Sequence, residues 1–475
     1  MCREEPDTAA ATRDGSMKQF ALMALMMLLG TAGSVVLSPV YGIAVYYTFA
    51  VLRPQAIWDW VEVFGLRVSE ISWSFPVAVV TLVATVAWRL KVWTPLAVSQ
   101  APWYGNPKFN RSHYLFLAFT AWISVTYFTA INQTVAWPYF LEYAKIFVMF
   151  ICATLVLRTV RDLWIIYYVM IGCAVYIAYE VNFFYFAWGW LMLATRGYGG
   201  LDNNGAALIF AMAVPLCFFA WEAHTRRWRW AFLLVIPVLL HAVLLSFSRG
   251  AMLSLLVTSI PMFLRARNKR FVAAVYLVGA VLVVGMAGKE IQERFFSIGK
   301  QDTDASAQAR WVTWGIAVKM ANERPIFGMG IRNSNLFTYQ YGADIEGRTI
   351  HSQYLQTAAD SGWGALALYV GLLLSAFVGL WQARRTLRPF TDPETLKVRS
   401  LAAGLECALI LFCFGAIFLS LEHFEMPYIC VLLAVQLHAI TCAVKAKLGP
   451  TPSGLPPLTL PYPYPAASRP AAVPS

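Results

Sequence analysis

Apolar runs, mostly about 16 to 22 residues long, recur along the whole chain between short polar stretches, and a run of that length crosses a hydrocarbon core of about 30 Å as a helix. They lie at 18–36, 39–53, 72–88, 113–130, 138–157, 163–184, 204–221, 229–247, 250–265, 271–287, 362–382, 400–420 and 427–444. Open strands would leave backbone N–H and C=O groups unsatisfied in lipid, so the runs must be helices. The pattern predicts an all-α polytopic membrane protein with about twelve or thirteen transmembrane helices. One long polar interval interrupts it, between Lys289 and Gly362. The chain then divides into a polar N-terminal tail (1–17), an N-terminal bundle (18–287), one large loop (288–361), C-terminal transmembrane helices (362–447) and a tail (448–475). The stretch 450–475 holds nine prolines and almost no charge, a composition that does not build a core.

Hydrophobic residues make up 59% of the chain and charged residues 13%, which excludes an ordinary soluble domain. The net charge of +12 sits in clusters beside the apolar runs, so it reports topology and contact with anionic lipid head groups rather than nucleic-acid binding. Arg89, Lys91, Lys108 and Arg111 form one cluster, Arg226, Arg227 and Arg229 another, and Arg265, Arg267, Lys269 and Arg270 a third. The positive-inside rule assigns these loops to the cytoplasm and the long loop to the outer face. Thirteen spans would leave 1–17 outside. Because 39–53 is short and carries Pro39 and Gly42, the first two runs also fit a shallow hairpin, and the parity stays open. Seven of the eight cysteines fall in apolar runs and Cys2 in the tail, without metal-ligand spacing, so neither a disulfide framework nor a metal site is expected.

The long loop concentrates Arg310, Arg332, Arg348 and His351. Within it, 305–322 has Ala307, Trp311, Trp314 and Val318 at helical spacing, with Asp304 or Ser306 to cap its start and Pro325 beyond its end, which predicts an amphipathic helix on or near the membrane. Arg310 there is either a snorkelling side chain or a phosphate ligand, whose fork of donors suits a diphosphate. Pro325-Ile326-Phe327-Gly328-Met329-Gly330 is a turn whose glycines let the backbone approach a ligand or another helix closely. It is neither a Walker loop nor a dinucleotide fingerprint. His351 is either a solvated loop histidine or a base. Arg249, in Ser246-Phe247-Ser248-Arg249-Gly250, lies between two spans, where a charge usually faces a cavity or a partner. Arg196 stands near Asp202, Asn203 and Asn204, whose side chains suit either helix capping or sugar hydroxyls. Asp302-Thr303-Asp304 resembles the Asp-x-Asp of metal-dependent transferases, but precedes a helix, where acidic residues are favoured anyway. Glu142 and Lys145, at helical spacing, are expected to pair, and Glu180, His241, Glu406 and His438 are further ionisable groups inside spans.

In this order, Ser248-Arg249-Gly250, Arg310 with Trp314, Pro325 with Gly328 and Gly330, and His351-Ser352 with Tyr354-Leu355 before Gly362-Trp363-Gly364 resemble the O-antigen ligase and polymerase superfamily, membrane glycosyltransferases of the GT-C type. The resemblance runs over about 200–365. Leu52-Arg53-Pro54-Gln55 and Leu201-Asp202-Asn203-Asn204 are similar to the exosortase-associated O-glycosylation ligase branch. Where many members have His-Asn, this chain has His351-Ser352. The resemblance implies transfer of a preassembled glycan from undecaprenyl diphosphate to an acceptor hydroxyl at the periplasmic face of a bacterial inner membrane, inverting and independent of metal or other cofactor. The acceptor would be lipid A core, a protein or a polysaccharide. It implies His351 as general base and Arg249, Arg310 and Arg196 on the diphosphate, with weaker glycan or acceptor roles for Asn203, Asn204, Tyr354, Trp314, Arg332 and Arg348. Three alternatives stay open: a polymerase of the same superfamily, a transporter of lipid-linked glycan using intramembrane carboxylates, and a non-enzymatic scaffold.

Overall fold

The computed structural model describes residues 12–58, 61–63, 65–96, 109–286, 305–421 and 424–448. The protein is an all-α polytopic membrane protein, with eight helices among the described residues long and apolar enough to cross a membrane and two shorter apolar ones beside them. The N-terminal half comprises α1 (Thr12–Val36), α2 (Pro39–Leu52), the single turn α3 (Pro54–Ile57), α4 (Ser74–Arg89), α5 (Arg111–Phe128), α6 (Gln133–Val156), α7 (Val160–Trp188), the short α8 (Met192–Arg196) and α9 (Asn203–Ala223). Then follow α10 (Trp230–Leu234), α11 (Ile236–Leu245), α12 (Arg249–Arg265) and α13 (Lys269–Met286). After the loop helices α14 (Ala305–Glu323) and α15 (Asn333–Phe337) come α16 (Gln353–Leu387), α17 (Pro393–Gly415) and α18 (Glu425–Leu448). Every apolar run of the sequence folds as helix, with 229–247 divided between α10 and α11 ahead of Pro237. One two-residue hairpin, Glu62–Val63 with Leu66–Arg67, interrupts the helices.

Helix α9 is buried almost throughout and packs against α7, α11, α12 and α17. Gly415 and Gly404 of α17 lie against Leu208 and Phe219 of α9, where a side chain would crowd them, so the helix backbones come close. Lipid offers apolar side chains as good a home as the bundle does, so this close packing, rather than the hydrophobic effect, holds the two helices together.

The helix ends form two sets. At one, Glu406 of α17 pairs with Arg265 and, at 2.6 Å, with Arg384, while Arg267 donates to the Leu396 carbonyl and Ser400, and Arg158 lies 4.9 Å over the Trp88 ring. This end gathers the basic loops. At the other, Arg53 donates to the Gly199 carbonyl, Tyr198 to Leu52, Asn203 to Ser246, and the Gln353 N–H to Ala416. Helix α2 runs from the first end, where the Val35 carbonyl accepts from Trp93, to the second, and the Phe20 ring near the start of α1 meets Trp73 at the start of α4. The first two runs are thus an antiparallel pair, and the start of α1 lies at the second end. Helix begins at Thr12, inside the stretch expected as a polar tail.

Candidate functional site

The second end carries residues 305–361, the described part of the long loop, folded into structure rather than left as a linker. Helix α14 packs on α16 through Thr313, Ile316, Ala317, Met320 and Ala321, all buried, together with Met329, Ile350 and Ala359. The face carrying Trp311, 65% exposed, and Trp314, partly buried, is distinct from this contact side. Trp314 still fixes the site: its indole N–H donates to the His351 carbonyl at 3.4 Å and its ring lies 6.3 Å from Phe418. Thr313 caps the same stretch by donating to the Ile350 carbonyl at 3.1 Å. Asp304 and the Asp302-Thr303-Asp304 sequence lie outside the described residues.

The Pro325–Gly330 turn meets a helix, not open space. Met329 and Gly330 donate their N–H groups to the Ala359 and Asp360 carbonyls, and Trp363 donates to Pro325. Those carbonyls are available because α16 is broken at Gly362, whose φ of 83° and ψ of 169° are closed to other residues. The Asp360 carboxylate accepts from the Ser334 N–H at 3.0 Å and from Gln356 at 2.8 Å, which ties the turn that follows to the start of α16. Asn333 exchanges hydrogen bonds with the Asn132 backbone, at 2.7 and 3.1 Å, fastening the same turn to α6. Sequence reading passed over Asp360, Gln356, Ser334 and Asn333, since nothing local marks them.

On this frame sit the candidate residues. His351 precedes α16 and is partly buried. Burial pushes its imidazole below the ordinary histidine value; the Asp202 carboxylate acts against that, and the positive charges of Arg310, Arg348 and Arg332 add to it. Three of the loop arginines therefore converge on the histidine together with Asp202, a residue about 150 positions away. Arg332 lies 5.3 Å over the Tyr139 ring of α6, and Arg348 pairs with Asp344 at 3.5 Å. Arg249 opens α12 behind the Ser248 cap, and its neighbour Gly250 faces Phe418, the ring against Trp314. Arg196 ends α8, ahead of the Tyr198–Leu201 bridge that leads to Asp202. Asp202 caps α9 through the Gly205 N–H at 2.7 Å. The Asn203 amide is committed to the Ser246 carbonyl, Asn204 contacts Asp202 and Asn203, and the Tyr354 hydroxyl donates to the Cys413 carbonyl.

Backbone strain collects here as well. Of five non-glycine residues with positive φ among those described, Arg53, Phe247, Arg332 and His351 lie at this end of the bundle. Such conformations cost on the order of 1–3 kcal/mol each and persist where surrounding structure enforces them.

Residues 237–370 match the family model described as O-antigen ligase. This match supports the O-antigen ligase superfamily, in agreement with the resemblance of the chain's motifs. No curated protein matches the chain. The matched region contains Arg249, Arg310, Trp314, Arg332, Arg348, His351 and Tyr354; Arg196, Asp202, Asn203 and Asn204 reach it from the preceding sequence.

Proposed function

We propose that this protein transfers a preassembled glycan from undecaprenyl diphosphate to an acceptor hydroxyl at the periplasmic face of the inner membrane. The observation that carries the reading is the placement of His351, partly buried at the start of α16, within reach of the charges of Arg310, Arg332 and Arg348, which together with burial lower its affinity for a proton. An unprotonated imidazole can accept a proton, and guanidinium groups are matched to diphosphate oxygens. In the proposed step His351 takes the acceptor O–H proton while the oxygen attacks the anomeric carbon. The bond from that carbon to the diphosphate oxygen breaks, and undecaprenyl diphosphate leaves with the electron pair. Attack opposite the leaving group inverts the anomeric centre.

Arg310, with Arg249 and Arg196, would hold the diphosphate and stabilise the charge that grows on it. Arg332 and Arg348, assigned only weak glycan roles by resemblance, join the donor side because their charges reach the histidine. Asp202, facing His351 electrostatically, favours the imidazolium that forms as the proton arrives. This guanidinium set supplies the counter-charge that a divalent metal supplies in nucleotide-sugar transferases, so the reading is metal-independent. The similarity of Leu52-Arg53-Pro54-Gln55 and Leu201-Asp202-Asn203-Asn204 to the exosortase-associated branch favours a protein or polysaccharide acceptor in the envelope.

The transporter alternative loses part of its support. Glu406 is held between Arg265 and Arg384, and Glu142 pairs with Lys145, so these carboxylates are ion-paired rather than strung into a proton relay. The test is glycan transfer from purified carrier-linked oligosaccharide by wild type, His351→Ala and Arg310→Ala. Carrier-linked glycan crossing vesicle membranes without transfer to any acceptor would overturn the enzyme reading.

A further inference from the structure

We infer that a charge-balanced wall beside the arginine cluster, formed by Tyr139, Glu142 and Lys145 of α6 with Arg53 and Glu425, is the subsite for a neutral, hydroxyl-rich acceptor. The inference rests on the glycosyl-transfer reading and adds the place and chemistry of the acceptor. It starts from Arg332, whose guanidinium covers the Tyr139 ring at 5.3 Å. Glu142 is three residues further along the same helix and therefore on the same face. Its carboxylate pairs with Lys145 at 2.6 Å, and both side chains remain more than 40% exposed although they lie well inside a membrane-spanning helix. Charged groups at such depth persist when they line a polar cavity.

Glu425 closes the wall. It is the first residue of α18, only 8% exposed, and its Oε2 lacks a hydrogen bond of good geometry, as does the Tyr46 hydroxyl close by. It feels the charges of Arg53, Glu142 and Lys145 together. Leaving two buried polar atoms short of partners is costly, and a further polar group between them would relieve that cost. Glu425 lines a small void with Arg53, Tyr198, Leu201 and Phe424, of about 10 Å³, room for roughly one hydroxyl or one water. Leu201 precedes Asp202, the carboxylate that faces His351, so the void lies next to the reacting end of the site.

Charge separates the two halves. Around His351 three guanidinium groups face one carboxylate, a field that draws the anionic carrier diphosphate. Along the wall the two carboxylates Glu142 and Glu425 face the two cations Lys145 and Arg53, which offsets the pull on an anion and leaves acceptors and donors for sugar hydroxyls.

The test uses two defined probes on purified protein, geranylgeranyl diphosphate and a panel of neutral tetrasaccharides, titrated onto wild type, His351→Ala, Glu425→Gln, Glu142→Gln and Arg310→Ala. A charge-assisted hydrogen bond to a hydroxyl predicts roughly tenfold weaker tetrasaccharide binding in Glu425→Gln and in Glu142→Gln. Diphosphate binding should stay within twofold in both and weaken in Arg310→Ala. Glu142 is half exposed, so its variant remains informative if Glu425→Gln fails to fold. Weakened diphosphate binding in the two glutamine variants, unchanged tetrasaccharide binding in them, or no saturable tetrasaccharide binding by wild type would overturn the subsite. Wild type that transfers glycan to no acceptor, with this split intact, would instead overturn the transfer reading and leave the polyol site standing.

Discussion

Replacing Gly362 by alanine should damage both stability and transfer, because the break it makes in α16 holds the catalytic frame together. An alanine there would adopt φ 83° and ψ 169°, a region essentially reserved for glycine, at a cost on the order of 1–3 kcal/mol. Its Cβ would also stand 2.1 Å from the Ile326 carbonyl oxygen and 2.7 Å from that of Pro325, far inside ordinary contact and against backbone that cannot swing aside. Relieving that overlap means moving the Pro325–Gly330 turn, for roughly another 1–3 kcal/mol. Together the two terms take a large share of a typical net stability of about 5–15 kcal/mol. The displaced turn leads directly to Arg332, so Arg332 should lose its place over Tyr139. The assay is thermal unfolding in detergent alongside initial transfer rates, with Gly371→Ala as control. In that control the new Cβ meets only Leu115, at 3.8 Å, and no effect is expected. A Gly362→Ala protein that melts with wild type and transfers at the wild-type rate would refute the reasoning.

Three further outcomes follow from the geometry. The acid limb of log kcat/KM against pH should lie below the ordinary histidine value of about 6.5, since burial and three arginines lower His351, and Arg348→Ala should move it upward; a wild-type limb at or above pH 7 would contradict the assignment. The linkage has the matching sign: with the folded value depressed, the unfolded chain binds the proton more readily, so the contribution of neutral His351 to stability is full above about pH 6.5 and declines as pH falls, measurable as a lower Tm in mildly acidic buffer. Glu406→Ala strands Arg265 and Arg384 without their carboxylate and should destabilise the bundle by about 3–5 kcal/mol, read from thermal unfolding, while leaving the acceptor KM of the folded fraction unchanged.

Much of the architecture was legible because hydropathy acts locally. Each apolar run became helix, the capping reading of Asp202 and the pairing of Glu142 with Lys145 appeared at their expected spacings, and the glycine turn docked on another helix. The face of α14 that packs on α16 was not legible, because it lies apart from the tryptophan stripe and is selected by the partner surface. Asp202 looked like a cap and proved to be one, yet its charge also reaches His351, because α9 starts where α16 starts. Glu425 drew no notice, since a glutamate at a helix start is ordinary until its oxygen is found buried without a hydrogen bond of good geometry. The convergence of Arg310, Arg332 and Arg348 has the same origin: loop arginines are common in sequence, and only the fold makes three of them neighbours of one histidine.

The most direct test of the central claim is transfer of glycan from purified undecaprenyl-diphosphate-linked oligosaccharide, in EDTA, by wild type, His351→Ala and Arg310→Ala against candidate acceptors. The account predicts wild-type transfer undiminished by the chelator, with losses of roughly 10²-fold or more in each variant. Transfer abolished by EDTA and restored by a divalent cation, or a His351→Ala enzyme as active as wild type, would contradict it.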